Sequence, residues 1–494
     1  MIDAYGSLYW FYILGLGSAP AIVLGLLGKR LRPYTRVATV VMVVLMLGWA
    51  TGQMWWLLGF LVFELALVKG WLRCRVGHPH VNPWIARLVA AGATAPLVVV
   101  KAANLFPTLS IGFLGVSYLS FRVIAVVLEI TDGLIKELPL ADLTFFVVFF
   151  PTLASGPIDR VRRFQQDADR VWTRDEYAYL LGRGTSLVLL GAVYKFVLAA
   201  WFTTQLDWAV GWPRTLAYMY LYTGRLFFDF AGYSAMAVGT SYVFGIRTPP
   251  NFRLPFAAES IKDFWNRWHI SLSFWFRDYL YTRLTMFLMR TRIFKAHRVA
   301  AGRTALIVNM TLMGAWHGFA LHYLLYGLYH GLLLAGNDWY ERKCPLYAHR
   351  HHLAYRHRHR RHVPARRVRL PALLRPHPRE LTRRLASVVV AARYSALPGT
   401  VLCGRCRGVD PRRGMDEAQE LAVLRLLVEV CGTDAIDQER DVDLFDAGLL
   451  DSLGFTQLLV GLEDDLGIRV PPTAVERDEV STVNRILTFV SERL

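Results

Sequence analysis

The chain has 494 residues, 54% apolar and 19% charged, a balance unusual for a soluble protein of this size that makes a membrane protein the first expectation. Its five cysteines are too few and too scattered for a disulfide framework. The formal charge of +18 is divided unevenly: residues 415–494 hold 18 acidic and 6 basic side chains, whereas the preceding 414 hold 50 basic and 20 acidic. Two modules are therefore expected, a basic one suited to anionic lipid surfaces and an acidic one suited to basic partners, with no nucleic acid among the partners.

Apolar stretches recur along the first module, at 8–27, 37–49, 55–68, 86–100, 111–127, 138–153, 179–200, 216–244 and 305–336. Several approach the roughly 20 residues needed to cross a bilayer core, and the last is long enough for two crossings or for one crossing and a re-entrant segment. The shorter ones are expected to pair, tilt or enter without crossing. The first stretch follows no signal-peptide pattern and reads as a retained span. Lys29, Arg30, Arg32 and Arg36 lie between the first two stretches, so that loop is expected on the cytoplasmic side.

From 346 to 414 the composition turns to Arg, His and Pro, with no lysine up to 413. So many like charges resist compaction, and a basic, poorly ordered linker that meets anionic headgroups is expected. Cys403 and Cys406 make one isolated CxxC with no second pair, so no metal is assigned. After Met415, apolar residues at helical spacing (Ala418, Leu421, Leu424, Leu427, then Leu458, Leu459, Leu462, Leu466) predict a small helical bundle. The expected fold class is all-α: a polytopic transmembrane helical core over 1–345 and a small C-terminal bundle over 415–494.

Two segments carry chemistry. Residues 264–279 read FWNRWHISLSFWFRDY and mix indoles, charges and His269 without a clean apolar face, which suits an interfacial or re-entrant element. Residues 309–318 place His317 inside an apolar run. A buried imidazole is costly, so His317 is either functional or hydrogen-bonded to a neighbouring helix for structure. A neutral histidine is suited to take the proton of an attacking hydroxyl, which is a poor nucleophile until that proton leaves. His330 reads as packing, and Arg225 and Asp229, four apart on a helix, as a structural pair.

These segments, with SYLSFRV at 117–123, PTLASGPIDR at 151–160, FFDFAGYS at 227–234 and MGAWHG at 313–318, resemble the membrane-bound O-acyltransferases over about residues 5–343. Within that family the resemblance is to the branch that transfers D-alanine to teichoic acid. It implies that His317 is the catalytic histidine and His269 the second histidine of the site. The tail is similar to acyl carrier proteins, and to the D-alanyl carriers among them: DLFDAGLLDSL at 443–453 matches the attachment sequence. By that resemblance Ser452 bears 4′-phosphopantetheine, and a serine at a helix start presents its hydroxyl beside backbone N–H groups that tolerate a phosphodiester. A plain N-cap is the bland alternative.

The combined expectation is a multi-pass cell-membrane enzyme. It passes D-alanine from a carrier-bound thioester toward teichoic or lipoteichoic acid hydroxyls, with a D-alanine ligase and an extracytoplasmic acceptor protein as partners and the carrier in the cytoplasm. An O-acetylase of an exopolysaccharide and a non-catalytic transporter that docks the carrier are the rivals. Residues 346–414 also depart from the family, whose members continue into another apolar span, so that stretch is either a true linker or the product of a shifted reading frame.

Overall fold

The computed structural model describes residues 4–343 and 415–494, apart from 50, 79–80, 104, 107–110, 210, 212–213, 432–435, 437–439, 446, 448 and 476. The expected linker at 346–414, its CxxC and the question of its reading frame lie outside the described residues. Among the described residues the regular structure is all helical. The chain divides into two units, the first holding Met1–Glu341 with Ser452–Val460 and Arg469–Glu476, the second Arg342–Asp451, Gly461–Ile468 and Arg477–Leu494.

In the first unit the helices are α1 (Leu8–Leu26), α2 (Arg32–Leu47), α3 (Gly52–Gly77), α4 (Pro83–Ala103), α5 (Val116–Thr131), α6 (Leu140–Val148), α7 (Val161–Asp169), α8 (Arg174–Ala192), α9 (Ala200–Leu206), α10 (Thr215–Val243), α11 (Ile261–Arg267), α12 (Ile270–Trp275), α13 (Thr282–Arg290), α14 (Arg298–His317) and α15 (Leu321–Lys343). Two π-helical pieces, Val193–Ala199 and Phe276–Tyr281, join α8 to α9 and α12 to α13. Starts are set by side chains that take orphan N–H groups: Ser7 accepts from Trp10 N, Thr51 from Met54 N, and Thr173 with Glu176 closes a capping box on α8.

Four described helices are long and apolar enough to cross a membrane: Leu8–Leu26, Gly52–Gly77, Pro83–Ala103 and the continuous run Arg174–Leu206. They leave most of their surface uncovered by protein, as lipid-facing helices do. Helix α5 is the opposite case, with nearly every residue from Val116 to Ile130 buried, and it runs through the interior. The predicted stretches 111–127 and 138–153 thus become an internal helix, the short α6 and a 3₁₀ turn at Phe150–Thr152. The long stretch 305–336 resolves into α14 and α15, with Gly318, Phe319 and Ala320 between them.

Glycines let these helices touch backbone to backbone. A methyl group at Gly191 on α8 would stand 2.5 Å from the carbonyl oxygen of Gly232 on α10, and one at Gly239 would stand 2.4 Å from that of Gly184. Small residues at such crossings permit the close van der Waals packing on which helix association in lipid depends.

The second unit holds α16 (Glu417–Cys431) and α18 (Val483–Ser491), and the last part of α17 (Ser452–Leu466). Val423, Leu426 and Leu427 of α16 are buried, as are Val483, Ile486, Leu487, Phe489 and Val490 of α18. Gly461 on α17 admits the Leu426 side chain, whose Cδ1 lies 2.4 Å from where a Cβ would be. Gly467, at φ +69°, ends α17, with Gly467 N–H donating to Glu463 O and Ile468 N–H to Leu462 O, so the orphan carbonyls are satisfied. The first half of α17 is grouped with the first unit, where Leu453 and Val460 join Met286, Met289 and Ala301 in a small apolar cluster.

Candidate active site and attachment serine

The motifs that stand apart in sequence meet in the first unit. Arg122 of SYLSFRV is 1% exposed and donates to the carbonyls of Phe146, Val147 and Thr152 at 3.2, 2.8 and 2.8 Å, and to Thr152 Oγ1 at 2.5 Å. Its planar fork satisfies backbone that α6 leaves open and fixes the start of the 151–160 motif against α5. Further along, Ile158 N–H donates to Ser271 Oγ at 2.9 Å, tying that motif to the segment of His269. Trp275 Nε1 donates to Phe121 O at 3.0 Å, which returns the same segment to α5.

His269 itself sits in the left-handed region at φ 44° and ψ 51°, where it turns the chain between α11 and α12. Left-handed backbone is costly for a side chain other than glycine, though His, Asn and Asp are enriched there. The buried Asn251 holds the turn: its carbonyl accepts from Ile270 N–H at 2.9 Å, and its Oδ1 accepts from Ser271 Oγ at 2.6 Å. The His269 imidazole is 4% exposed, edge-on to Phe230 with centroids 4.8 Å apart, and its Nε2 has no hydrogen-bond partner among the described residues.

His317 is the last residue of α14. Its position depends on a glycine crossing, since a Cβ at Gly314 would lie 2.3 Å from Tyr323 O and one at Gly327 would lie 2.4 Å from Met310 O. Backbone contact between α14 and α15 therefore sets the height at which the imidazole leaves the helix. The ring of Trp316 lies 4.5 Å from that of His317 and 6.1 Å from that of His269, with Tyr118 and Phe121 also in ring contact with the indole. The two histidines that the sequence singled out are thus gathered around one indole. His317 is accessible whereas His269 is enclosed, so the pair offers one imidazole to an arriving group and holds the other in an aromatic box.

Ser452 opens α17, half-buried, between the buried Leu450 and Leu453. The preceding loop is folded back on Leu444, whose carbonyl accepts from Leu449 N–H and Leu450 N–H at 2.8 and 2.9 Å. A helix-start hydroxyl, flanked by anchored leucines and followed by orphan N–H groups, fits the attachment of a phosphodiester. No group of His, Cys, Asp and Glu able to hold a metal ion occurs among the described residues.

Three further findings refine the sequence reading. Asp229 takes Lys195 as its partner at 2.5 Å, so the expected pairing with Arg225 gives way to one between α10 and the π-helical piece. His330 packs between Trp265 and Tyr326, at centroid distances of 5.2 and 4.6 Å, in keeping with a packing role. Asn251 and Lys101 were not singled out. Lys101 donates to His317 O at 3.4 Å and lies 5.7 Å from the centre of the Trp316 ring; an ionisable residue directly after the apolar stretch 86–100 was the signal that could have flagged it.

A polytopic helical unit that gathers two histidines around an indole, joined in one chain to an acidic helical module with a helix-start serine, defines a membrane acyltransferase that carries its own acyl-carrier module. Residues 43–357 match the model of the membrane-bound O-acyltransferase family, and 422–490 match that of the phosphopantetheine attachment site. The chain belongs to the membrane-bound O-acyltransferase family. It is 39% identical over 357 residues to a teichoic acid D-alanyltransferase of Bacillus subtilis, covering 68% of this chain and 89% of that one. A teichoic acid D-alanyltransferase of Streptococcus thermophilus is 38% identical over 358 residues, 69% of this chain and 85% of the relative. A probable alginate O-acetylase AlgI of Pseudomonas fluorescens is 32% identical over 302 residues, 57% of each chain.

Proposed function

We propose that this chain transfers D-alanine from its carrier module, residues 415–494, to hydroxyl groups of teichoic acid through its transferase module, residues 1–345. The observation that carries the reading is the convergence of His317 and His269 on the indole of Trp316, in a chain that also holds a phosphopantetheine attachment domain. When attached at Ser452, 4′-phosphopantetheine supplies a thioester, an activated carbonyl on a long arm.

The protein's own part is proton management and positioning. His317 takes the proton of the acceptor hydroxyl as that oxygen attacks the acyl carbonyl, and returns it to the departing group. His269, enclosed and fixed by its turn, orients the donor side. The basic loop Lys29–Arg36 and the Arg342 and Lys343 turn that ends α15 support a cytoplasmic carrier, loaded by a separate D-alanine ligase. The hydroxyl then arrives from the other face, on the polymer or on an extracytoplasmic acceptor protein.

The test is single-turnover discharge of the phosphopantetheinylated chain after loading with ATP, a ligating enzyme and radiolabelled D-alanine or acetate. D-alanine should load and discharge, and His317→Ala should load normally but discharge about 10²- to 10⁴-fold more slowly, the usual contribution of a general base. Loading with acetate and not D-alanine would overturn the substrate. Undiminished discharge in His317→Ala would leave the transporter reading in its place.

A further inference from the structure

Lys101 lies in the last turn of α4, one of the four helices fit to cross the membrane. A lysine near the end of a spanning helix ordinarily reaches out to the interface, whereas this one is turned toward the histidine site. Among the described residues no carboxylate pairs with it. Its contacts are the carbonyl oxygen of His317 at 3.4 Å and the face of Trp316, 5.7 Å from the ring centre. Both hold the ammonium beside the site, and neither neutralises it.

The side of the membrane follows from the chain path. The basic residues Lys69, Arg73 and Arg75 mark the end of α3 as cytoplasmic, so α4, the next helix fit to cross, leads outward. The loop that follows α4 lies on the same side as the start of α3, because Leu114 N–H donates to Gln53 Oε1 across 3.1 Å. Helix α14 starts beside Arg290, Arg292 and Arg298 and so also runs outward, to His317. Lys101 therefore stands at the outer end, level with the last residue of α14 and on the side from which the acceptor comes.

We infer that Lys101 is the anion anchor for the acceptor: it binds a phosphodiester next to the hydroxyl that His317 deprotonates. This rests on the transfer reading above and adds that the acceptor is recognised by its negative backbone, which a polyol-phosphate polymer carries and a neutral polysaccharide lacks. Anionic lipid headgroups share that phosphodiester chemistry. A charge-assisted hydrogen bond of this kind is sufficient to change affinity about tenfold.

The experiment uses the full holo-chain in neutral detergent with poly(glycerol phosphate) and an uncharged glycerol oligomer as acceptors, comparing the wild type with Lys101→Arg and Lys101→Met. Lys101→Met should raise KM for the phosphate polymer about tenfold or more, with kcat changed far less, and should flatten its salt dependence; Lys101→Arg should stay close to wild type. Equilibrium binding of fluorescent poly(glycerol phosphate) to the unloaded chain should weaken by the same factor, and this readout stands even if the wild type discharges nothing, the result that would defeat the transfer reading alone. Added phosphatidylglycerol distinguishes the sources: competition in the wild type that vanishes in Lys101→Met places the lipid headgroup on the same anchor, and absence of competition reserves it for the polymer. Equal loss with charged and uncharged acceptors, or unchanged polymer binding in Lys101→Met, would overturn the inference.

Discussion

The hydroxyl of Tyr279 donates to the carboxylate of Glu129 across 2.5 Å, both residues being almost fully enclosed, and Arg162 Nε stands 3.7 Å from the second carboxylate oxygen. The bond joins the π-helical piece after α12 to the end of α5, and so braces the histidine segment against the interior helix. Tyr279→Phe removes the donor and leaves a buried acceptor short of a partner, at a cost of about 1–3 kcal/mol. Thermal unfolding in detergent should show a lowered midpoint, and Tyr279→Phe/Glu129→Gln should recover part of it. An unchanged midpoint in Tyr279→Phe would show that the bond contributes nothing.

Gly327 and Gly336 lie on the same helix and make opposite predictions. Gly327→Ala forces a methyl group against Met310 O, 2.4 Å from the added carbon, whereas nothing lies within 4 Å of the corresponding position at Gly336. The first substitution should cost about 1–3 kcal/mol by overpacking and reduce kcat by moving the end of α14. Gly336→Ala should be neutral or stabilising by up to about 1 kcal/mol. Parallel melting and discharge measurements on the two variants decide the matter, and matched behaviour would refute the packing account.

Ser452→Ala should fold as the parent does, because a helix-start hydroxyl contributes about 1 kcal/mol as a cap, yet accept no prosthetic group. Intact-mass measurement after treatment with a phosphopantetheinyl transferase checks this. An adduct on the alanine variant would place attachment at another residue.

Burial, with the Asp451 carboxylate adding to it, pushes the Cys431 thiol up to about 12. Native Cys431 should therefore stay protonated and resist alkylation at any pH where an ordinary thiol begins to react, and react readily in denaturant. The sign of the linkage follows: folded and unfolded states bind the same proton below the ordinary thiol range, and above it the unfolded state releases first. Stability of this region should thus fall as pH rises from the ordinary thiol value toward 12. Mass mapping of iodoacetamide adducts with and without urea tests the first part, and equal labelling in both would contradict it.

The motifs were legible in the sequence; their meeting was not. A histidine in an apolar run announces itself by cost, so His317 could be named from residue type and neighbours, whereas His269 and Ser452 are named through the motifs that resemble known families. Hydropathy gave less about α5, because a helix apolar on every face is equally suited to lipid and to a protein interior, and only packing shows that Val116–Thr131 chose the interior. The fork of Arg122 on Thr152 and the clasp of Asn251 on Ser271 join residues distant in the chain, and no local pattern encodes such partners. Lys101 was legible in principle, as the charged residue at the end of an apolar stretch, but its partner is a backbone carbonyl on another helix.

The left-handed backbone at His269 bears on how this chain drifts under mutation. Single-nucleotide changes to either histidine codon reach asparagine and aspartate, which are also the side chains most tolerant of that backbone. Two of the single-step genetic routes away from the imidazole therefore keep the turn, the clasp of Asn251 and the fold. A gene copy that had lost whatever His269 contributes would still yield a membrane protein of the same shape, so in this protein an intact fold would not certify a working site.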